Sequence, residues 1–519
     1  MPAPHTLTRS SHQQAVLDFV RSGVGHGVVL ATAGSGKTFT LTEVAGVLPQ
    51  DLEARYLAYN AHVARELASR LPRHVRAQTI HALGKRALQA RYPGVRQAQV
   101  NPGKARKLVR AYIDELQLQH RFAPEDRSDA DAFLASLLHF ARVNLTDSRD
   151  TAAVRALALR YNLTPPADPV LERACLEGVR VLLRRGDQAV EAGNFDFDDM
   201  LYVPVVRRLP VPQFDFVLID EAQDLSPLQL EFTLKTVRPG GRQLFMGDPR
   251  QSINGFTGAD ADAMNRILTR IGGTVLTLPV TYRCPRSHVA LAKKLAPEIE
   301  AAPGAPEGRV FVIPDTALPK WIQPGDLVLC RYNAPLIGRC LEAIRAGKPA
   351  ALQGKDLGGT LTGLARRVFL RGLTHWEAQL ADHRRAERER IEREVGDATA
   401  AAALLAQRED LAESLGHLTR AAVREGARDL QGLAEFMAAF FARSHQTITF
   451  STVHGAKGRE ADRVFVLHPH LMPAVYARTP EAVIGEACVQ FVALTRARRD
   501  LIFVEEAGQA PPPLRRGRR

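Results

Sequence analysis

Short apolar runs separated by amphipathic stretches set the pattern of this chain. Val28-Val29-Leu30 leads into a glycine-rich turn and then, from Thr38, an amphipathic stretch, the strand–loop–helix order of an α/β sheet. Similar runs recur at Tyr56–Ala58, Phe216–Ile219, Leu244–Met246, Leu327–Leu329, Val464–Leu467 and Leu501–Val504. Each reads as a strand buried on both faces of a parallel sheet, with polar groups near its carboxyl end. They fall before and after about Pro279, which predicts two α/β cores. Between Lys85 and Phe195 the pattern turns helical, as in Ala152–Leu159 and Pro169–Leu183. A second helical block runs from Trp376 to about His445, and its charged run Ala386–Glu394 reads as a solvated helix face with i,i+4 pairs.

Composition narrows the function classes. The chain has 519 residues, 45% of them hydrophobic, enough for several cores at roughly 100–200 residues per domain. Its 69 Lys+Arg against 56 Asp+Glu give a net charge of +13, which suits a phosphate backbone or another anionic surface. No apolar run reaches membrane-spanning length and no secretory signal is evident, so a cytoplasmic protein without membrane partners is expected. Cys175, Cys284, Cys330, Cys340 and Cys488 form no C-x-x-C pair and no Cys/His cluster of zinc spacing, so reduced structural thiols are expected. The basic tail at 511–519 is read as disordered, with arginines that add non-specific attraction to nucleic acid.

Two motifs carry phosphate chemistry. Ala31-Thr32-Ala33-Gly34-Ser35-Gly36-Lys37-Thr38 matches a P-loop except for Ala at its first position, and lies between a strand and a helix. Gly34 and Gly36 let backbone N–H groups wrap phosphates, Lys37 reaches the β/γ-phosphates, and the Thr38 hydroxyl ligates Mg²⁺. The second motif, Asp220-Glu221-Ala222-Gln223-Asp224, follows the strand that ends at Ile219. At a strand tip one carboxylate, Asp220, can hold Mg²⁺ while Glu221 orients the attacking water. An acidic pair alone would read as a solvated loop; after a P-loop it reads as a Walker B motif.

The order of the motifs resembles the UvrD/Rep-like helicases of superfamily 1 along nearly the whole chain. Gln13-Gln14 resembles the family's adenine-reading glutamine motif, Leu57–Leu67 its motif Ia, Thr79-Ile80-His81 motif Ib, and Asn194–Leu201 its acidic–aromatic segment. Gly247–Ile253 is similar to motif III, Thr281-Tyr282-Arg283 to motif IV, Ser451–Glu460 to motif V and Val492–Arg498 to motif VI. The resemblance implies that Gln13 reads adenine, Tyr282 stacks on it, Gln251 senses the γ-phosphate and Glu460 bonds the ribose. It also implies that Arg283 and Arg496 act as arginine fingers, and that Tyr59, Asn60, His81, Phe256 and His454 contact DNA. In motif III, Phe256 stands where the family usually has Trp, with Asn254 and Thr257 in place of Tyr and Arg. Motif Ia has Tyr59-Asn60 in place of Phe-Thr.

The implied fold is two RecA-like P-loop cores, residues 1–84 with 196–278 and 279–375 with 446–510, with helical insertions at 85–195 and 376–445. The second insertion is shorter than is usual in the family, and with the Gly354–Gly358 segment it resembles the F-box-helicase and phage-like branch. The resemblance implies ATP bound with Mg²⁺ between the cores, and 3′→5′ movement on single-stranded and tailed duplex DNA with unwinding, in repair, recombination or replication. Two alternatives stand beside this reading. A helicase–nuclease is disfavoured because no room for a nuclease domain follows motif VI. A DNA-stimulated ATPase partner subunit, as in an anti-phage system, would unwind little by itself.

Overall fold

The computed structural model describes residues 9–506 except 59, 121–123, 162, 164, 167, 254–262, 395–397 and 443–447. The chain forms two compact units, Met1–Pro279 and Val280–Arg519. In the first, the described strands are β1 (Gly27–Ala31), β2 (Ala54–Ala58), β3 (Val75–Thr79), β4 (Phe214–Ile219), β5 (Val237–Gly247) and β6 (Thr274–Leu278). They make one parallel sheet in the order β3-β2-β4-β5-β1-β6. Strand alternation sends Val29, Leu218 and Met246 to one face with Leu17, Leu41 and Val44. Val28, Val217 and Phe245 go to the other, with Leu83, Phe232 and Ile267. Both faces are covered, and each fully buried Val, Leu or Phe contributes about 1.5–3 kcal/mol. Because β1 lies between β5 and β6 while β2 lies beyond β4, the strand order reverses at β1, and a crevice opens at the strands' carboxyl ends.

The helices Lys104–His120, Pro124–Val143, Thr151–Arg160 and Pro169–Glu191 enclose a separate apolar core that includes Leu134, Leu137, Leu176 and Val179. Buried ion pairs join this bundle to the segment that leads into helix Asp199–Val206. Lys104 Nζ lies 2.7 Å from Asp199, and Arg142 Nη1 lies 3.0 Å from Asp196. Burial, then the neighbouring Asp196, pushes the Asp199 carboxyl up to about 6 against the pull of Lys104 and Arg142.

In the second unit β7 (Val280–Thr281) pairs with β8 (Glu300–Ala301). The larger sheet is again parallel, built from β9 (Arg309–Pro314), β10 (Leu327–Cys330), β11 (Ala350–Leu352), β12 (Ile448–Thr452), β13 (Ala461–Leu467) and β14 (Ala497–Glu505). Its order is β11-β12-β10-β13-β14-β9. Helices Asn333–Arg345, Lys355–Val368, Trp376–Glu394, Ala398–Arg424 and Leu430–Ala442 contribute Leu336, Leu361, Leu380, Leu415 and Leu433 to one apolar cluster with Val328, Phe450 and Phe465 of the sheet. A helix at Lys355–Val368 precedes Trp376, and these helices share the sheet's core. The five cysteines are buried and none is in a disulfide. Among the described residues no helix is long and apolar enough to cross a membrane.

Candidate nucleotide site

β1 ends at Ala31, and the chain turns through Thr32–Gly36 into helix Lys37–Val47. Gly34 and Gly36 have φ of 72° and 78°, the left-handed region in which a side chain is strained. The N-cap of the helix is Gly36, which supplies no capping side chain, so the first N–H groups and the positive end of the helix dipole are left for another acceptor. Two hydroxyls in the loop, Thr32 Oγ1 and Ser35 Oγ, are buried without a hydrogen-bond partner. Ala31 and Ala33 are buried beside them, and Thr38 is exposed. Such a cradle of unspent donors fits a phosphate group.

Gln13 reaches this loop from the preceding helix. Its Oε1 accepts from Ser10 N at 3.0 Å and its N–H donates to Ser10 Oγ at 3.1 Å, closing a capping box on helix Ser11–Ser22. Its Nε2 donates to the Ser35 carbonyl at 3.4 Å, so backbone engages both ends of the amide.

Carboxylates gather at the tips of β4 and β5. Asp220 is buried; Tyr56 donates its hydroxyl to Oδ2 at 2.8 Å, and the Glu221 N–H donates to Oδ1 at 2.8 Å. Each oxygen keeps a further lone pair for a cation. Burial, then the adjacent Glu221, pushes the Asp220 carboxyl up to about 6, against the Tyr56 hydrogen bond and the positive charge of Lys37. Asp248, at the end of β5, is buried and likewise raised by burial, with Lys37 acting against it. Glu221 adopts φ 51° and receives a hydrogen bond from Gln223 Nε2.

Gln223 ties the two strand tips together. Its Oε1 accepts from Asp248 N at 2.9 Å while its Nε2 serves Glu221. A side chain at Gly247 would bring a Cβ within 2.5 Å of Gln223 Oε1, so glycine is required for this approach. Gln251 Nε2 donates to Asp248 Oδ2 at 2.5 Å. The first unit therefore brings Gln13, residues 31–38, Asp220, Glu221 and Gln251 to the carboxyl ends of β1, β4 and β5. Tyr56, Gln223 and Asp248 join them, residues to which the sequence motifs assign no role. Asp248 had a usable signal, an acid just beyond the apolar run Leu244–Met246. Tyr56 had none, because only strand pairing sets it against Asp220.

In the second unit Arg283, Glu460 and Arg496 come together around Thr495. Arg283 pairs with Glu460, and its Nη1 donates to the Thr495 carbonyl at 3.4 Å. Glu460 also takes Arg498 at 3.3 Å. Arg496 is 1% exposed; its Nε donates to Val492 O at 3.0 Å, Nη1 to Arg459 O at 3.4 Å and Nη2 to Thr495 Oγ1 at 3.0 Å. Tyr282 beside them is 47% exposed.

Of the DNA-contact candidates, Tyr59 and Phe256 lie outside the described residues. Asn60 caps helix Ala61–Ala68, its Oδ1 accepting from Val63 N at 2.9 Å. His81 opens the helix after β3 and meets Phe197 edge-on, with ring centroids 6.2 Å apart. Phe197 is 52% exposed, and was not singled out from sequence. His454 follows β12; burial, then Arg331 and Lys457, push its imidazole down to about 3, so it is neutral.

A glycine loop between a strand and a helix, with acids on the neighbouring strand tips, defines the P-loop nucleotide-binding class of α/β proteins. Residues 11–271 match the family described as UvrD/REP helicase N-terminal domain, and residues 369–506 match the UvrD-like helicase C-terminal domain. The chain belongs to the UvrD/REP helicase family. It is 26% identical over 279 residues to F-box DNA helicase protein 1 of Schizosaccharomyces pombe, covering 51% of this chain and 30% of that protein. It is 25% identical over 289 residues to ATP-dependent DNA helicase PcrA of Leuconostoc citreum, covering 51% and 35%. With DNA helicase II of Haemophilus influenzae the identity is 24% over 300 residues, covering 53% and 39%. The chain thus spans well under half the length of these curated relatives.

Proposed function

We propose that this chain is an ATP-dependent DNA helicase that moves 3′→5′ along single-stranded DNA and opens tailed duplexes in repair, recombination or replication. The observation that carries it is the pair of buried acids Asp220 and Asp248 on neighbouring strand tips, tied through Gln223, beside a helix N-terminus with unspent donors. Family membership supports the same reading. Lys37 and the N–H groups around Gly34–Gly36 would hold the β/γ-phosphates, and Thr38 with Asp220 would hold Mg²⁺. When bound, ATP with Mg²⁺ supplies a phosphoanhydride whose γ-phosphoryl group can pass to water. Glu221 would then accept the water's proton, with Gln223 and the left-handed backbone fixing its direction. Arg283 and Arg496 would neutralise charge developing on the γ-phosphoryl group.

A second reading is favoured by one observation. The helices from Lys355 to Ala442 belong to the second sheet's core and form no separate body among the described residues. A motor of this kind would be a DNA-stimulated ATPase that serves a partner and unwinds little alone. DNA-stimulated ATPase measured beside unwinding of a 3′-tailed duplex separates the two: stimulation with unwinding supports the helicase, stimulation alone the partner ATPase, and neither refutes both.

A further inference from the structure

Away from the phosphate machinery, the second unit gathers two histidines and a glutamate at one end of its sheet. β13 ends at Leu467, and His468 follows with φ 47°. Its N–H donates to the Val504 carbonyl of β14 at 2.9 Å, and the short turn Pro469–Leu471 carries His470 back beside it. The two imidazoles meet edge-on, with centroids 5.7 Å apart. β14 is paired with β13 in the register Leu467↔Val504, so Glu506, just past the end of β14, arrives at the same place. One ligand atom from each of His468, His470 and Glu506 lies within 4.8 Å of the others.

We propose that His468, His470 and Glu506 form a binding site for one divalent transition-metal ion, with Zn²⁺ the best match. Two imidazole nitrogens and one carboxylate oxygen are a donor set for Zn²⁺ and its first-row neighbours; Mg²⁺ and Ca²⁺ take oxygen donors instead. His468 Nδ1 lies 3.3 Å from Glu506 Oε1. Metal–ligand bonds of about 2.0–2.2 Å set at a tetrahedral angle place neighbouring donors roughly 3.3–3.6 Å apart, so this pair already spans one edge of the polyhedron. His470 Nδ1 is buried with no hydrogen-bond partner, which is the state of a donor atom that a cation would complete. Glu506 is half-exposed, so an ion can reach the site from solvent.

The ion would fasten the segment after β14 to the turn after β13, two stretches that only the sheet brings together. The test uses the full chain, stripped with EDTA, then equilibrated with Zn²⁺ and separated from free metal. Bound zinc is counted for the unsubstituted protein, for His470→Gln and for Glu506→Gln. The unsubstituted chain should hold one equivalent more than either variant, with affinity lowered at least about tenfold by each change. Co²⁺ in place of Zn²⁺ should give a visible absorption band that both variants lose. Melting of all three proteins in EDTA guards against misfolding, and Glu506→Gln, at a half-exposed side chain, should melt like the unsubstituted chain. Equal zinc counts in all three proteins, or a cobalt band that survives both substitutions, would overturn the site.

Discussion

Tyr56 lies on β2 and Asp220 just past the end of the adjacent β4, and the phenol of one donates to the buried carboxylate of the other at 2.8 Å. The hydrogen bond helps hold the Asp220 carboxyl down against burial and the adjacent Glu221. Tyr56→Phe should lower Mg²⁺ affinity in the ATPase assay by roughly tenfold, as removing a group that supports a metal ligand does. Stability should fall by about 1–3 kcal/mol, because a buried acceptor is left short of a donor. A Mg²⁺ titration that does not move while melting falls would leave Tyr56 a purely structural role.

Lys37→Ala should abolish ATP turnover while the loop's backbone stays in place. Glu221→Gln should keep nucleotide binding and stop hydrolysis, since an amide fills the same space and cannot accept the water's proton. Filter binding of labelled ATP beside steady-state turnover separates the two. Near-normal turnover in Lys37→Ala, or lost binding in Glu221→Gln, would defeat the assigned roles.

Arg496 is almost fully buried and spends its guanidinium on Val492, Arg459 and Thr495. A finger role predicts a turnover loss of roughly 10³–10⁵ in Arg496→Ala, with ATP affinity changed far less. Arg496→Lys keeps the charge and loses the planar fork, and should also stay slow. If turnover in Arg496→Lys matches the unsubstituted chain, the guanidinium is a structural tie and not a finger.

Acidification should weaken the second unit through His454. Its folded value, about 3, lies below the unfolded value of about 6.5. The stability it confers is therefore complete above pH 6.5 and lost as pH falls toward 3. Each pH unit below 6.5 removes up to about 1.4 kcal/mol. His454→Gln should flatten this part of the melting-temperature profile; a variant profile parallel to the unsubstituted one between pH 7 and 5 would refute the assignment.

Phe197 is half-exposed beside His81, and under the proposed function its ring would stack on a base of the single strand. Phe197→Ala should weaken single-strand binding by about 1–3 kcal/mol, the usual worth of one stacked base. ATPase without DNA should stay intact. Fluorescence anisotropy with labelled oligothymidine checks it, and unchanged affinity would return Phe197 to a surface apolar residue.

What the sequence determined by itself was the local chemistry and the strands buried on both faces. Val28–Leu30, Phe216–Ile219 and Val464–Leu467 are legible because a strand covered on both sides is apolar throughout. The strands β3, β6, β9 and β11 were not legible because they lie at sheet edges, where Val75-Arg-Ala-Gln-Thr or Arg309-Val-Phe-Val carry polar or exposed positions. The inner strand β12, Ile448-Thr-Phe-Ser-Thr, was not legible either, since its apolar residues alternate with polar ones. The P-loop residues and Asp220-Glu221 could be read because each motif is contiguous and its spacing carries its own mechanical reason. Tyr56 against Asp220, Gln223 between Glu221 and Asp248, and the half-exposed Phe197 beside His81 could not, since strand order and packing alone set them together. His468 and His470 show the same limit: on one turn after β13, they meet the distant Glu506 only because β13 pairs with β14. Spacing along the chain reports local geometry, whereas contacts between distant segments depend on hydrogen-bond register, which only the folded sheet supplies.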